Sequence, residues 1–312
     1  MTSIIFNVQS LFLLLIIIIS TSTSIAHIFL TSQNATPGAI NYRGLQPHHH
    51  RRRLHLHATP LNANATQVDP YWFLKHYGYM EYAEAHVNVE KNNRFYSYKV
   101  LRLALTTSQR NFGLAETGNL DEKTKGEMLK TRCGVPDCFG SINTMDPHSR
   151  ISKASSSPYS SALYNYFPNR PRWSQFNLTY TLTRGTPWGA RTWIQAAFNQ
   201  WHAVSDFTFQ ETENWSADIR IWFYSYDHAD GYPFDGRGGI LAHAFRPSDG
   251  RLHFDSDESW SFDPIDDDWH DLETVALHEI GHILGLEHSE YKDAVMYPEI
   301  GIRQVKLLER DD

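Results

Sequence analysis

His278, Glu279 and His282, in the run His278-Glu279-Ile280-Gly281-His282, have the types and spacing that hold a catalytic metal. Residues four apart share one helix face, so two imidazoles can reach one ion. Gly285 lets the chain leave the helix, and His288 can return a third nitrogen. Three protein ligands leave one position open on tetrahedral zinc. Glu279, beside the first ligand, can take a proton from a water that the metal activates. A helix of core histidines satisfied by hydrogen bonds is the bland alternative. The added Gly285 and His288, at their spacing, argue against it.

These side chains need a helix over 272–284, which the apolar spacing predicts. A second helix over 192–204 carries Ile194, Ala197, Phe198 and Trp201 on one face, a core stripe. Runs at 178–182, 207–209, 219–223 and 239–245 read as strands. Strands followed by helices predict an α+β domain. Upstream, 67–132 reads as a small all-α unit. Its helical runs cover 71–82 and 98–112, and a short helix opens at 120–124 with Asp121 as a candidate cap. The Ser- and Tyr-rich stretch 151–168 reads as an exposed linker, as does 27–66 with its His-Arg tract.

The charge divides along the same line. The chain of 312 residues has net charge −7, but residues 1–160 carry 16 Lys/Arg against 10 Asp/Glu and residues 161–312 carry 12 against 25. The acidic half lacks the basic face that nucleic acid requires. Two cysteines exclude a disulfide-dense scaffold. The apolar run 11–19 and the small residues ending at Ala26 predict a secretory signal peptide over 1–26. The run is short for a bilayer span, and no apolar tail follows, so no stable membrane anchor is expected. Asn34, Asn64, Asn177 and Asn214 lie in N-glycosylation sequons.

The pattern H-E-x-x-H-x-x-G-x-x-H, followed by Met296 in Ala294-Val295-Met296-Tyr297-Pro298, resembles the metzincins. Met296 would form the turn beneath the zinc. Thr131-Arg132-Cys133-Gly134-Val135-Pro136-Asp137 resembles the cysteine switch of the matrixins, the matrix metalloproteinases. Phe112-Gly113-Leu114, Thr117-Gly118 and Leu120-Asp121 resemble the prodomain of plant-type members. The resemblance implies a twisted mixed sheet with helices around a zinc cleft. It also implies that Cys133 fills the open zinc position in an inhibited form, since a thiolate is a good zinc ligand.

Two more sites follow from the resemblance. His228, Asp230, His243 and His253 form a closed four-ligand set, as a structural zinc requires. The segment 233–239 resembles a calcium loop, with Asp235, Asp255 and Glu258 giving carboxylates and Gly236 and Gly238 giving carbonyls. Thr131 replaces the switch proline. Cys138 opens the option of a Cys133–Cys138 disulfide, which would remove the sulfur ligand. The loop 247–251 is short for the family, which puts a second calcium site in doubt although Asp218 matches one of its ligands. The family's last helix begins after an Asp-Asp pair, and here Asp311-Asp312 close the sequence, so a truncated last helix and no hemopexin domain are expected.

The expected organisation is a signal peptide over 1–26, a linker over 27–66, an inhibitory prodomain over 67–163 and a catalytic domain over 164–312. The expected function is a secreted zinc endopeptidase made as a zymogen, acting as a monomer on extracellular matrix or cell-wall proteins. By family analogy, substrate lies antiparallel to the strand 239–245, with Pro298 and Ile300 shaping the pocket after the cut. A non-catalytic metal-binding glycoprotein is the alternative.

Overall fold

The computed structural model describes residues 68–91, 93–146, 165–262, 267–308 and 312. The signal peptide, the 27–66 linker, Asn34 and Asn64 lie outside the described residues. All described residues belong to one compact unit, Ala58–Asp312.

The chain starts with four helices: α1 Pro70–His76, α2 Tyr79–His86, α3 Tyr96–Asn111 and α4 Glu122–Met128. The single helix expected over 71–82 is two, because Gly78 between them takes φ 80°. That left-handed conformation suits glycine. It also brings the backbone against Cys138, leaving no space for a Cβ. Asp121 caps α4 as expected, accepting the Thr124 amide at 2.8 Å. Phe73, Leu74, Tyr79, Val100, Ala104 and Met128 form the core of this part.

Three two-residue strands follow: β1 Arg132–Cys133, β2 Cys138–Phe139 and β3 Ile142–Asn143. The α+β part then runs β4 Asn177–Leu182, α5 Ala190–Val204, β5 Thr208–Glu211, β6 Ile219–Tyr224, β7 Ile240–Ala244, β8 Arg251–Asp255 and α6 Leu272–Leu284. The six-stranded sheet has the order β1-β7-β8-β6-β4-β5. It is mixed: β7 and β8 are antiparallel, and the other pairs are parallel. β8 and the three short strands carry no expectation from the sequence. In β8, His253 and Phe254 break any clear alternation, since both are buried.

α5 and α6 cover the sheet. Ile194, Ala197, Phe198 and Trp201 of α5 are buried with Val275, Ala276 and Ile280 of α6. Each large apolar side chain so buried contributes about 1.5–3 kcal/mol. The Trp201 indole donates to the Leu277 carbonyl at 2.8 Å, which holds the two helices in register. Asp271 caps α6 by accepting the Thr274 amide at 2.9 Å, and Gly285 ends it at φ 108°.

Residues 165–168, expected within an exposed linker, are a correction. Phe167 is buried, and the Asn165 amide donates to the His288 carbonyl at 2.6 Å. Local polarity did not report this packing, because the partner lies over a hundred residues away.

Candidate active site

α6 places His278 and His282 on one buried face, and the turn at Gly285 brings His288 back to them. Each imidazole is oriented through Nδ1. His278 Nδ1 lies 2.7 Å from the Val295 carbonyl, His282 Nδ1 lies 2.8 Å from the Leu286 carbonyl, and His288 Nδ1 lies 2.8 Å from Asp137 Oδ1. With Nδ1 carrying the proton, every Nε2 presents a lone pair inward. His278 Nε2 and His282 Nε2 are 3.1 Å apart, and Cys133 Sγ stands 3.5 Å from His282 Nε2. The four ligand atoms all lie within 4.8 Å of one another.

The donor set fits zinc. Four nitrogen and sulfur atoms around a tetrahedral zinc are spaced about 3.3–3.6 Å apart, given the usual bond lengths. The His288 Nε2 is buried without a hydrogen-bond partner, and the buried Glu279 carboxylate has only the Cys133 thiol beside it. Such an orphan is costly unless something further satisfies it. Burial and the neighbouring rings hold His278 and His282 well below the ordinary histidine range, so both are neutral and able to ligate. Burial lifts the Glu279 carboxyl to about 8. Burial, with Glu279 alongside, pushes the Cys133 thiol well up. Both cysteines are free and buried, so the Cys133–Cys138 disulfide does not form.

β1 lies in the cleft beside this centre. The Arg132 amide donates to the Gly239 carbonyl at 2.8 Å and the Gly134 amide to the Ala242 carbonyl at 2.8 Å, on the β7 side. On the opposite wall, the Cys133 amide donates to the Pro298 carbonyl at 2.9 Å and the Ile300 amide to the Thr131 carbonyl at 3.1 Å. The segment thus runs parallel to β7 and is clamped from both sides. Thr131 adds a hydroxyl bond to the Ile300 carbonyl at 2.7 Å, a contact that proline could not make.

Met296 is buried against Gly281 of α6. The Asp312 carboxylate accepts the Val295 amide at 3.0 Å and the Met296 amide at 2.9 Å. Sequence reasoning noted the acidic pair but gave Asp312 no task. It likewise missed the buried Arg132–Asp137 ion pair at 2.6 Å. The signal was available, since an arginine and an aspartate flank Cys133 within one short motif.

The second histidine set also converges. His228 Nε2, His243 Nε2, His253 Nδ1 and Asp230 Oδ2 lie 2.8–3.4 Å from one another. The Asp230 carboxylate is held far below the usual range by hydrogen bonds from all three rings, which outweigh burial. A closed tetrahedral zinc fits these spacings.

The carboxylates of Asp235, Asp255 and Glu258 sit together in a third place. Burial raises them to about 7, 7 and 8; Asp257 and Asp235 push Asp255 up further, and Asp255 and Asp235 do the same to Glu258. Asp255 Oδ2 is buried with no partner. Gly236 and Gly238 turn here at φ 84° and 83°. It is the amide of Gly238 that bonds Glu258, at 2.5 Å. Asp218 Oδ2 accepts the Thr179 amide and hydroxyl, both at 2.8 Å, and its Oδ1 accepts from Gln175 at 3.3 Å. Asn177 and Asn214 are exposed.

The family model for matrixins matches residues 172–312, which span β4 to α6 and the turn bearing Met296. Metalloendoproteinase 1 of Glycine max is 41% identical over 221 residues, covering 67% of this chain and 69% of that protein. The chain belongs to the matrixin family. Metalloendoproteinase 1-MMP of Arabidopsis thaliana is 41% identical over 221 residues, covering 66% of this matrixin and 57% of the relative. Neutrophil collagenase of Homo sapiens is 37% identical over 217 residues, covering 67% and 41%. This matrixin therefore spans between about two fifths and two thirds of these relatives' lengths. Among its described residues, no helix is long and apolar enough to cross a membrane.

Proposed function

We propose that this matrixin is a secreted zinc-dependent endopeptidase made as a zymogen, with residues 67–163 as the inhibitory prosegment. The observation that carries the reading is the buried Glu279 carboxylate, with the Cys133 thiol beside it, next to three inward Nε2 atoms. A purely metal-binding role would give that buried carboxylate no task.

His278, His282 and His288 would hold the catalytic zinc. Bound there, zinc supplies Lewis acidity for the scissile carbonyl and its oxyanion and makes water a better proton donor. Glu279 takes the water's proton and returns it to the leaving amine. The peptide backbone docks on the edge of β7 and on the Pro298–Ile300 wall, the groups that β1 now engages. Cys133 Sγ holds the position that water needs, so latency ends when β1 leaves.

His228, Asp230, His243 and His253 would hold a structural zinc. Asp235, Asp255, Glu258 and the Gly236–Gly238 turn would hold calcium, which offsets the mutual repulsion of the buried carboxylates. Proteins of the extracellular matrix or cell wall are the proposed substrate class. A fluorogenic peptide assay on the chain freed of residues 67–163 tests the reading. Chelator-sensitive cleavage is expected. A folded, zinc-loaded sample that cleaves no peptide refutes it in favour of a binding role.

A further inference from the structure

The three histidines differ in what stands behind them. His278 and His282 are oriented by backbone carbonyls of their own part of the chain, Val295 and Leu286. His288 is oriented by a carboxylate, and that carboxylate comes from the switch segment, 151 residues upstream. His288 and Asp137 side chains are both fully buried.

Asp137 is fixed for this contact from several directions. Arg132 Nη2 donates to Oδ1 at 2.6 Å, and the Tyr79 hydroxyl donates to Oδ2 at 2.6 Å. Its own amide donates to the Tyr77 carbonyl at 3.1 Å, and its carbonyl accepts from the Thr144 amide at 3.1 Å. Tyr79 is in turn held by the Asn111 amide at 3.2 Å. The carboxylate is thus positioned by Arg132 of β1 and Tyr79 of α2, both upstream of the part of the chain that carries His288.

A carboxylate behind a ligating imidazole fixes its tautomer and raises its basicity. Loss of such a partner typically costs about 10–100-fold in metal affinity. We propose that Asp137 is a positioning residue for the catalytic zinc, through which the prosegment strengthens metal binding independently of Cys133. The prosegment then helps the site acquire and keep zinc as well as blocking it. Its removal leaves a centre that holds zinc more weakly by the loss of both groups. This inference rests on the zinc reading above.

The test is zinc competition against a chromogenic chelator of known affinity, on the full chain, with the His228 site as internal reference. The parents are wild type and Cys133→Ser, and each is compared with its Asp137→Asn derivative. The catalytic site should weaken by about 10–100-fold in both backgrounds while the reference site stays unchanged. Asp137→Asn leaves Arg132 without its charge partner, so the paired variant Arg132→Met/Asp137→Asn is measured too and should weaken equally. In nitrogen-15 histidine spectra, the carboxylate-bonded Nδ1 proton of His288 should shift in every Asp137 variant. Affinity within twofold of the parent in a folded variant overturns the proposal. A parent chain that takes up zinc only at the reference site overturns the zinc reading and the inference with it.

Discussion

Replacing Gly281 with Ala should destabilise the protein, although alanine is the better helix former. In an open helical position the exchange gains about 0.4–1 kcal/mol, mainly by restricting the unfolded chain. At Gly281 a Cβ would sit inside the Met296 sulfur, 3.1 Å from Met296 Cε and 3.1 Å from Trp201 Cζ2. Met296 is buried, and Trp201 is tied to the Leu277 carbonyl, so neither side chain has free space to enter. Overpacking of this kind costs about 1–3 kcal/mol. The net expectation is a loss of about 1–2 kcal/mol, or a Tm lower by about 2–8 °C for a domain of this size. Gly126 supplies the control: it lies in α4, and a Cβ there meets nothing within 4 Å. Gly126→Ala should therefore raise stability by about 0.4–1 kcal/mol. Urea and thermal unfolding of the two variants decide the matter. Stabilisation by Gly281→Ala equal to that of Gly126→Ala would refute the close packing of α6 on Met296.

Acid should weaken the hold of α1 on the switch segment through His76. Its Nε2 lies 3.1 Å from the Gly134 carbonyl, and burial lowers it from 6.5 to about 4. Between those values the unfolded chain binds the proton and the folded chain does not, so stability is present above pH 6.5 and is lost toward pH 4. The loss approaches about 3 kcal/mol, and His76→Gln should remove that part of the pH slope; identical slopes in urea titrations would contradict the assignment. Thiol reagents should react with both cysteines only after denaturation, and without reductant, because Cys133 and Cys138 are free and buried. Fewer than two thiols in the denatured chain would reinstate a disulfide. Added calcium should raise the Tm of the parent chain, and Asp255→Ala should abolish the rise. An equal calcium response in both would remove Asp255 from that site.

The convergence of the three histidines was legible because helical spacing is a local rule: 278, 282 and 288 need only α6 and one turn to meet. The bounds of α6 match the expected 272–284 for the same reason, since Asp271 and Gly285 cap it locally. The second histidine set required more. His228, His243 and His253 come from a loop and two antiparallel strands, so the resemblance carried what spacing could not. Asp137 was readable as part of a motif, but its bond to His288 joins residues 151 apart. No periodicity reports such a contact. β1 was hidden likewise, because two residues become a strand only when β7 pairs with them. Gly78 escaped notice because a helical apolar spacing continued across it, while Cys138 was what forbade a side chain there.

Glu279→Ala tests the central claim most directly, when zinc content and peptide turnover are measured on the same sample freed of residues 67–163. The account predicts zinc at the parent stoichiometry, held by the three histidines, with turnover reduced by about 10²–10⁴-fold or more through loss of the general base. Turnover at the parent rate in the zinc-loaded variant would contradict it.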